Sequence, residues 1–195
     1  STVFFNAVCM ILYMVAAWRL REWSVMKVLL AGFIAGLLLS TRSVMIIPLI
    51  FTYVYLLKFE MGWHRVWQLG AATFAGFVIL FIPLYLWDPS LFMAYNPITL
   101  QKSFLPDGLL FFIIVLTVIW SFRIHDKGKL MYACGVMLFI TVAAHCVYFW
   151  QRNDWQDVLY SSEVDISYFV LALPFLFLSL FPRIGERNEK TEKRN

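Results

Sequence analysis

Charged residues are scarce in this chain. Of its 195 residues only 14% are Asp, Glu, Lys or Arg, whereas 62% are hydrophobic. Soluble domains average about 25% charged residues, so a composition this poor in charge excludes an ordinary water-soluble fold. The charges that are present lie almost entirely between long apolar runs. This arrangement is typical of a protein that crosses a membrane several times.

Cysteine pairs and the common catalytic motifs are missing. The three cysteines, Cys9, Cys134 and Cys146, lie in apolar runs without CxxC spacing, so we interpret them as small buried residues. The chain contains no P-loop, GxSxG or HExxH motif, and no cofactor is indicated. The net charge of +4 is explained by the basic cytoplasmic loops of membrane proteins, so no nucleic-acid partner is predicted.

The apolar runs predict the fold class. Lipid tolerates only helices or closed barrels, and runs that are apolar throughout, without alternation, indicate helices. All eight tryptophans lie at or just beyond the ends of the runs, as an interfacial aromatic belt requires. We predict an all-α, polytopic transmembrane helical bundle with about seven membrane helices. The runs are 3–18, 28–57, 66–87, 109–122, 130–150 and 166–181.

The run 28–57 is too long for one span, which needs about 20 residues, and too short for two full ones. If this run forms a short hairpin that turns at Ser40–Ser43, then 13 of the 16 basic residues lie on one side of the membrane. This asymmetry satisfies the positive-inside rule, whereas a single tilted helix weakens it. We therefore predict a short hairpin over 28–57, with its turn below the outer surface.

Charge also predicts the domain organisation and the location. The tail 182–195 is strongly basic, so we expect a disordered, cytoplasmic C-terminus. Residues 1–181 form one predicted multi-pass membrane domain, placed in the bacterial inner membrane. The chain begins with Ser1 and has no basic leader segment, so we expect it to be a fragment of a longer protein.

Arg42 is the main candidate for function. A cation inside an apolar run is costly unless it reaches water or a partner, so an intramembrane arginine suggests a functional site. Its guanidinium can present two parallel N–H groups to a phosphate or carboxylate, beside the hydroxyls of Ser40, Thr41 and Ser43. Two alternatives are a structural ion pair with an acidic residue of an outer loop, and snorkelling to the interface.

The predicted outer loop 88–107 supplies the other candidates for substrate binding. Pro89, Pro97 and Pro106 punctuate the loop, and the mixture of bulky apolar and polar residues favours a short amphipathic helix in the membrane interface. The alternative is an interfacial connector whose polar side chains cap helices. The polar candidates are Asp88, Asn96, Gln101, Lys102 and Asp107.

Other polar residues have simpler interpretations. The second outer loop, 151–165, is acidic, and its carboxylates would be the ligands if a divalent cation took part in the reaction, but their spacing matches no metal loop. His145, alone in a predicted span, is expected to bond to a neighbouring helix. Gly32 and Gly36 have the spacing that allows helices to pack closely.

One segment resembles a known family. Gly-Leu-Leu-Leu-Ser-Thr-Arg-Ser (36–43), followed by an apolar arm, resembles the G-L-x-x-x-T-[KR] hairpin of GT-C membrane glycosyltransferases, and Trp-Asp-Pro-Ser-Leu-Phe (87–92) is similar to outer-loop segments of bacterial members. The resemblance covers residues 28–107. It implies transfer of a sugar, such as mannose, from a polyprenyl-phosphate donor at the outer face, with inversion. Arg42 would lie near the lipid phosphate, and the 88–107 loop would form part of the lipid and acceptor entrance.

The resemblance leaves the catalytic residue unassigned. In this family the catalytic carboxylate lies in the first outer loop, and no matching acidic motif lies near the start of this chain. We therefore expect that carboxylate to lie upstream of Ser1. Two other functions remain open: a transporter or channel that binds an anion at Arg42, and a non-catalytic membrane scaffold. The sequence does not indicate an oligomeric state.

The predicted hairpin can be tested by labelling. A cysteine placed at Ser40 or Ser43, in a background without the native cysteines, is expected to react with a small, membrane-impermeant thiol reagent added from outside. The reason is that the hairpin places this turn at the outer end of both arms. Labelling only from the cytoplasmic side would contradict the hairpin and leave a single tilted span over 28–57.

Overall fold

A computed structural model describes residues 2–19, 22–95, 105–152 and 169–180. All regular secondary structure in these ranges is helical, which confirms the predicted all-α class. The helices are α1 (Thr2–Ala17), α2 (Val25–Thr41), a 3₁₀ helix (Ser43–Met45), α3 (Ile46–Phe59), α4 (Trp63–Ile79), α5 (Ile82–Trp87), α6 (Pro89–Tyr95), α7 (Asp107–Arg123), α8 (Lys127–Arg152) and α9 (Phe169–Ser179).

The helix ends follow local sequence signals. Ser24 and Gly62 have extended backbones directly before α2 and α4, and both residue types are favoured at that position. Pro106 precedes α7. Pro83 occupies the first turn of α5, where its missing N–H removes no helical hydrogen bond. The run 28–57 is broken at Arg42, whose backbone is extended, at the predicted turn.

The α2–α4 pair is the most closely packed in the described chain. Gly32 of α2 faces Leu69 of α4, and Gly36, one turn further along α2, faces Thr73, one turn further along α4. The two helices are therefore parallel. A Cβ atom on Gly36 would overlap the carbonyl oxygen of Thr73, so the contact is backbone against backbone. The glycine spacing read from the sequence serves this contact.

Helix α3 runs in the opposite direction to α2 and α4, because it connects the end of one to the start of the other. The starts of α2 and α4 lie side by side, since the Arg65 guanidinium donates a 3.4 Å hydrogen bond to the Trp23 carbonyl. Helix α3 in turn packs along α7. The rings of Phe51 and Trp120 are 6.1 Å apart. Further along both helices, the Lys58 ammonium donates a hydrogen bond to the Phe122 carbonyl, so α3 and α7 run in the same direction.

The second half of the chain forms an antiparallel pair, α8 and α9. Gly135 of α8 faces Leu176 of α9, while further along α8 the Phe139 ring contacts Phe169 at the start of α9 (5.0 Å between centroids). Helix α1 packs against α9 and α2. Its side chains Met10 and Met14 are fully buried, so α1 joins the two halves into one bundle.

Three buried hydroxyl groups connect α1, α3 and α4. The Tyr13 and Tyr53 hydroxyl oxygens are 3.2 Å apart, and Tyr53 is also hydrogen-bonded to Thr73. The Thr73 hydroxyl donates its proton to the Leu69 carbonyl at 2.8 Å, so Thr73 accepts from Tyr53, and Tyr53 accepts from Tyr13. Each of the three hydroxyls thus donates its proton to the next group in the chain, and these hydrogen bonds offset the cost of burying them.

One end of the bundle gathers basic residues, and we call it the basic end, defined by Lys58, Arg65, Lys127 and Lys129. Here the Lys58 ammonium donates to the Phe122 carbonyl at 2.7 Å and to the Ile124 carbonyl at 3.0 Å. These carbonyls terminate α7, where a cation complements the helix dipole. Lys127 lies 3.9 Å from Glu60. The opposite end carries the Arg42 turn, and we call it the Arg42 end.

Two helical stretches of the described chain are long and apolar enough to cross a membrane. They are Trp63–Trp87, which contains α4 and α5, and Lys127–Gln151 of α8, each of 25 residues. Along the first stretch, Trp63, Trp67 and Phe74 are 63%, 60% and 69% exposed. The other long apolar helices have 10–17 residues, so the number of spans stays a prediction.

The contact between α2 and α4 gives a stability prediction. Gly36→Ala is expected to destabilise the protein by about 1–3 kcal/mol, the usual cost of overpacking, because the added methyl group meets backbone atoms that cannot turn away. Gly70→Ala is the matched control, since a Cβ at Gly70 of α4 meets nothing within 4 Å. In the middle of a helix that control is expected to stabilise by about 0.5–1 kcal/mol.

The measurement is thermal unfolding of both variants in the same detergent. Equal unfolding temperatures for Gly36→Ala and Gly70→Ala would show that α2 and α4 do not approach as closely as described.

Candidate functional site

Arg42 is the single residue between α2 and the 3₁₀ helix. Its φ and ψ angles of −150° and 105° are extended, and its carbonyl accepts a 3.0 Å hydrogen bond from the Met45 N–H. The chain is anchored directly beyond the turn, because Met45 and Ile47 are only 1% and 2% exposed. The half-buried Arg42 side chain is therefore carried by a backbone that packing holds in place.

The hydroxyl groups before Arg42 are engaged within α2. Ser40 donates to the Leu37 carbonyl and Thr41 donates to the Leu38 carbonyl, each at 2.7 Å. Both bonds run back to carbonyls of the preceding turn, as serine and threonine hydroxyls commonly do in helices. The hydroxyl oxygens can still accept hydrogen bonds, but donation of either proton to a phosphate would require these bonds to break. The Arg42 guanidinium, with five N–H donors, therefore stays the candidate for anion binding at this turn.

Asp88 caps the short helix α6. Its Oδ1 atom accepts hydrogen bonds from the Ser90 hydroxyl at 2.6 Å, the Ser90 N–H at 3.0 Å and the Leu91 N–H at 3.0 Å. The Ser90 hydroxyl and the Leu91 N–H lower the pKa of Asp88, because they stabilise the charged carboxylate. Asp88 therefore has the role that the alternative interpretation of loop 88–107 gave to its polar side chains, which is to cap a helix.

The structure places Arg42 and Asp88 at the same end of the molecule. Helices α2 and α4 are parallel and in register, so the residues that follow them emerge at the Arg42 end. Of the other predicted binding residues, Asn96, Gln101 and Lys102 lie outside the described residues. So does the side chain of Asp107, whose backbone begins α7.

The remaining polar candidates are dispersed. His145 is half-buried on α8. Of the three cysteines that we predicted to be buried, Cys134 is fully buried, whereas Cys9 and Cys146 are only partly buried. Within the described ranges no three His, Cys, Asp or Glu side chains come together as metal ligands would. The acidic loop 151–165, the predicted source of cation ligands, lies almost wholly outside those ranges.

The sequence did not reveal the hydroxyl chain of Tyr13, Tyr53 and Thr73. Each residue lies in a different apolar run, and tyrosine and threonine are common enough in such runs that their presence does not indicate which residues pair. The available signal was that buried hydroxyls need partners. The partners themselves follow only from the way α1, α3 and α4 pack.

No protein-family model matches this chain. Neither the curated proteins nor the solved structures contain a match to it. The fold and the residues themselves therefore carry the functional argument.

The Asp88 cap predicts how α6 responds to pH. In Asp88→Ala, the Ser90 and Leu91 amide hydrogens are expected to exchange faster with solvent, because the acceptor at the start of α6 is gone. In the wild type the pKa is lowered by folding, so the cap is complete above the usual carboxyl pKa of about 3.9 and is lost as the pH falls through the lower folded value.

Asp88→Asn is the matched control for this prediction. Asparagine also caps helices but does not titrate, so slow exchange is expected to persist into acid in this variant. Hydrogen exchange followed by mass spectrometry over residues 89–95 provides the measurement. Unchanged exchange in Asp88→Ala at neutral pH would argue against the cap.

Proposed function

We propose that this chain belongs to a multi-pass integral membrane protein with about seven spans, a cytoplasmic basic end and an outer Arg42 end. The distribution of charge over the fold supports this orientation. Lys58, Arg65, Lys127 and Lys129 lie together at one end, as the positive-inside rule requires of a cytoplasmic face. Apolar side chains cover much of the surface between the two ends.

We propose further that the protein is a GT-C-like glycosyltransferase that moves a sugar from a polyprenyl-phosphate donor to an acceptor at the outer face. The observation that carries the proposal is the break of the run 28–57 at Arg42, which sets a guanidinium on an anchored turn at the Arg42 end. The segment 36–43, which resembles the GT-C hairpin, is the segment that forms this turn. A cation carried by an anchored turn is suited to binding a lipid phosphate.

In this reaction an acceptor hydroxyl attacks the anomeric carbon of the sugar from the side opposite the phosphate. The bond between the anomeric carbon and the phosphate oxygen breaks, and the configuration inverts. The departing phosphate gains negative charge, which the Arg42 guanidinium stabilises through paired N–H groups. The acceptor proton goes to a carboxylate that acts as the general base, which we do not assign to a residue of this chain.

Transport of an anionic substrate is the second candidate. Broken helices near a binding residue are a recurring feature of secondary transporters, and the break between α2 and α3 at Arg42 has this form. Uptake of an anion into proteoliposomes that is lost in Arg42→Ala, without any transfer of sugar, would favour transport over the transferase.

The transferase proposal is tested by turnover of the full-length protein with polyprenyl-phosphate sugars. Arg42→Ala is expected to lower kcat by about 10²–10³-fold, the usual effect of removing a donor that stabilises developing negative charge. Arg42→Lys is expected to recover part of the rate, because lysine keeps the charge but loses the paired N–H geometry.

Arg123→Ala is the matched control. Arg123 is an exposed arginine at the end of α7. It lies at the basic end of the bundle, opposite the Arg42 end, so its removal is expected to leave turnover unchanged. Equal losses in both variants would indicate a general effect of charge on folding or insertion. Full activity of Arg42→Ala would show that Arg42 is not the phosphate ligand.

A further inference from the structure

The helices α5 and α6 form a compact unit, here called the α5–α6 hairpin (residues 82–95). The Phe92 ring of α6 contacts the rings of Phe81 and Tyr85, with centroids 6.0 Å and 5.6 Å away. In a continuous helix residues 81 and 92 would be separated by about 16 Å along the axis. Helix α6 therefore folds back beside α5, and the chain reverses at Trp87–Asp88.

The surface of this hairpin is apolar on more than one side. Every residue of α5 is exposed, and on this helix Leu84, Leu86 and Trp87 are 57%, 73% and 89% exposed. On α6 Leu91 and Met93 are 60% and 63% exposed. A helix that is apolar all round requires an apolar environment on every side. One protein partner with a single complementary face would cover only part of this surface.

The hairpin carries too little charge to attract a polar or charged partner. Asp88 is the one acidic or basic residue between positions 82 and 95, and its Oδ1 atom already accepts three hydrogen bonds from within the hairpin. Electrostatic complementarity, which selects partners at most protein interfaces, is therefore minimal here.

The exposed apolar surface also continues from the hairpin onto α4. Phe74 and Ile79 are 69% and 49% exposed, and they belong to the stretch Trp63–Trp87, one of the two that are able to cross a membrane. At 1.5 Å per residue the 25 residues of this stretch extend over about 37 Å, more than the roughly 30 Å of the hydrocarbon core. Its last residue, Trp87, then reaches the headgroup level.

We propose that the α5–α6 hairpin is embedded in the lipid leaflet at the Arg42 end, and that its partner is the phospholipid itself. Trp87 lies at the headgroup level, where indole is favoured, and α6 turns back so that Leu91 and Met93 contact the acyl chains. Fluid lipid surrounds a helix on all sides, which matches the exposure of α5. This inference rests on the membrane location proposed above and not on the transfer of sugar.

Depth-dependent quenching tests this inference. The full-length protein, with Cys9, Cys134 and Cys146 of this chain and any further native cysteine replaced by alanine, receives one new cysteine at Leu91 or Met93. An environment-sensitive fluorophore is attached to it. The labelled protein is reconstituted into phosphatidylcholine vesicles that contain a nitroxide on the acyl chain, and a water-soluble nitroxide is added in a parallel sample.

Two control positions calibrate the measurement. Phe74→Cys, on the exposed side of α4, reports the response of a lipid-facing label. Lys129→Cys reports a water-facing label, because that side chain is 74% exposed at the basic end.

Labels at Leu91 and Met93 are expected to behave like the Phe74 label, with blue-shifted emission that is quenched more by the acyl-chain nitroxide than by the aqueous one. Behaviour like the Lys129 label would overturn the inference, because the hairpin would then lie in water. Shielding from both quenchers would also overturn it, since protein, for example a second copy, would cover the surface. If the Phe74 label itself is quenched only by the aqueous nitroxide, the proposed membrane location is wrong, and the proposed lipid contact of the α5–α6 hairpin is then wrong as well.

Discussion

The backbone contact between α2 and α4 determines the rest of the arrangement. In lipid, apolar side chains gain little from leaving their surroundings, so close packing and interhelical hydrogen bonds must hold helices together. Gly32 and Gly36 allow the backbones of α2 and α4 to touch. Since the two helices are parallel, α3 is forced to return between their ends. The hydroxyl of Tyr53 on α3 then falls between Tyr13 and Thr73, and α1 is fixed as well.

The two ends of the bundle that result from this contact differ in how they are held. At the basic end, side-chain cations bind the carbonyl groups that terminate α7, and Lys127 pairs with Glu60. These bonds tie helices that are distant in sequence. The Arg42 end contains the 3₁₀ turn, the Asp88 cap and the aromatic contacts of the α5–α6 hairpin.

Much of this architecture followed from the sequence, and the reasons for success and failure are physical. Long apolar runs specify helices because lipid leaves no other choice, and the break at Arg42 followed from run length and charge. The periodicity of apolar residues, by contrast, does not reveal which face of a helix packs against which neighbouring helix when the helix is apolar on every side. The sequence therefore did not predict that Gly36 faces Thr73, that Lys58 caps α7, or that α6 folds back onto Phe81. For the site, Arg42 and the turn were predicted, whereas the engagement of Ser40, Thr41 and Asp88 by local backbone groups appears only in the structure.

The helix break also determines how deep Arg42 lies in the proposed membrane. Helices α2 and α3 have 17 and 14 residues, which correspond to about 25 Å and 21 Å at 1.5 Å per residue. If the basic end meets the cytoplasmic interface, both arms stop roughly 5–9 Å short of a 30 Å hydrocarbon core. A long arginine side chain reaches across that gap to the headgroup phosphates. A cation that would be prohibitive in the middle of one long helix thus becomes tolerable at the turn between two short ones, at the depth where a lipid phosphate can approach it.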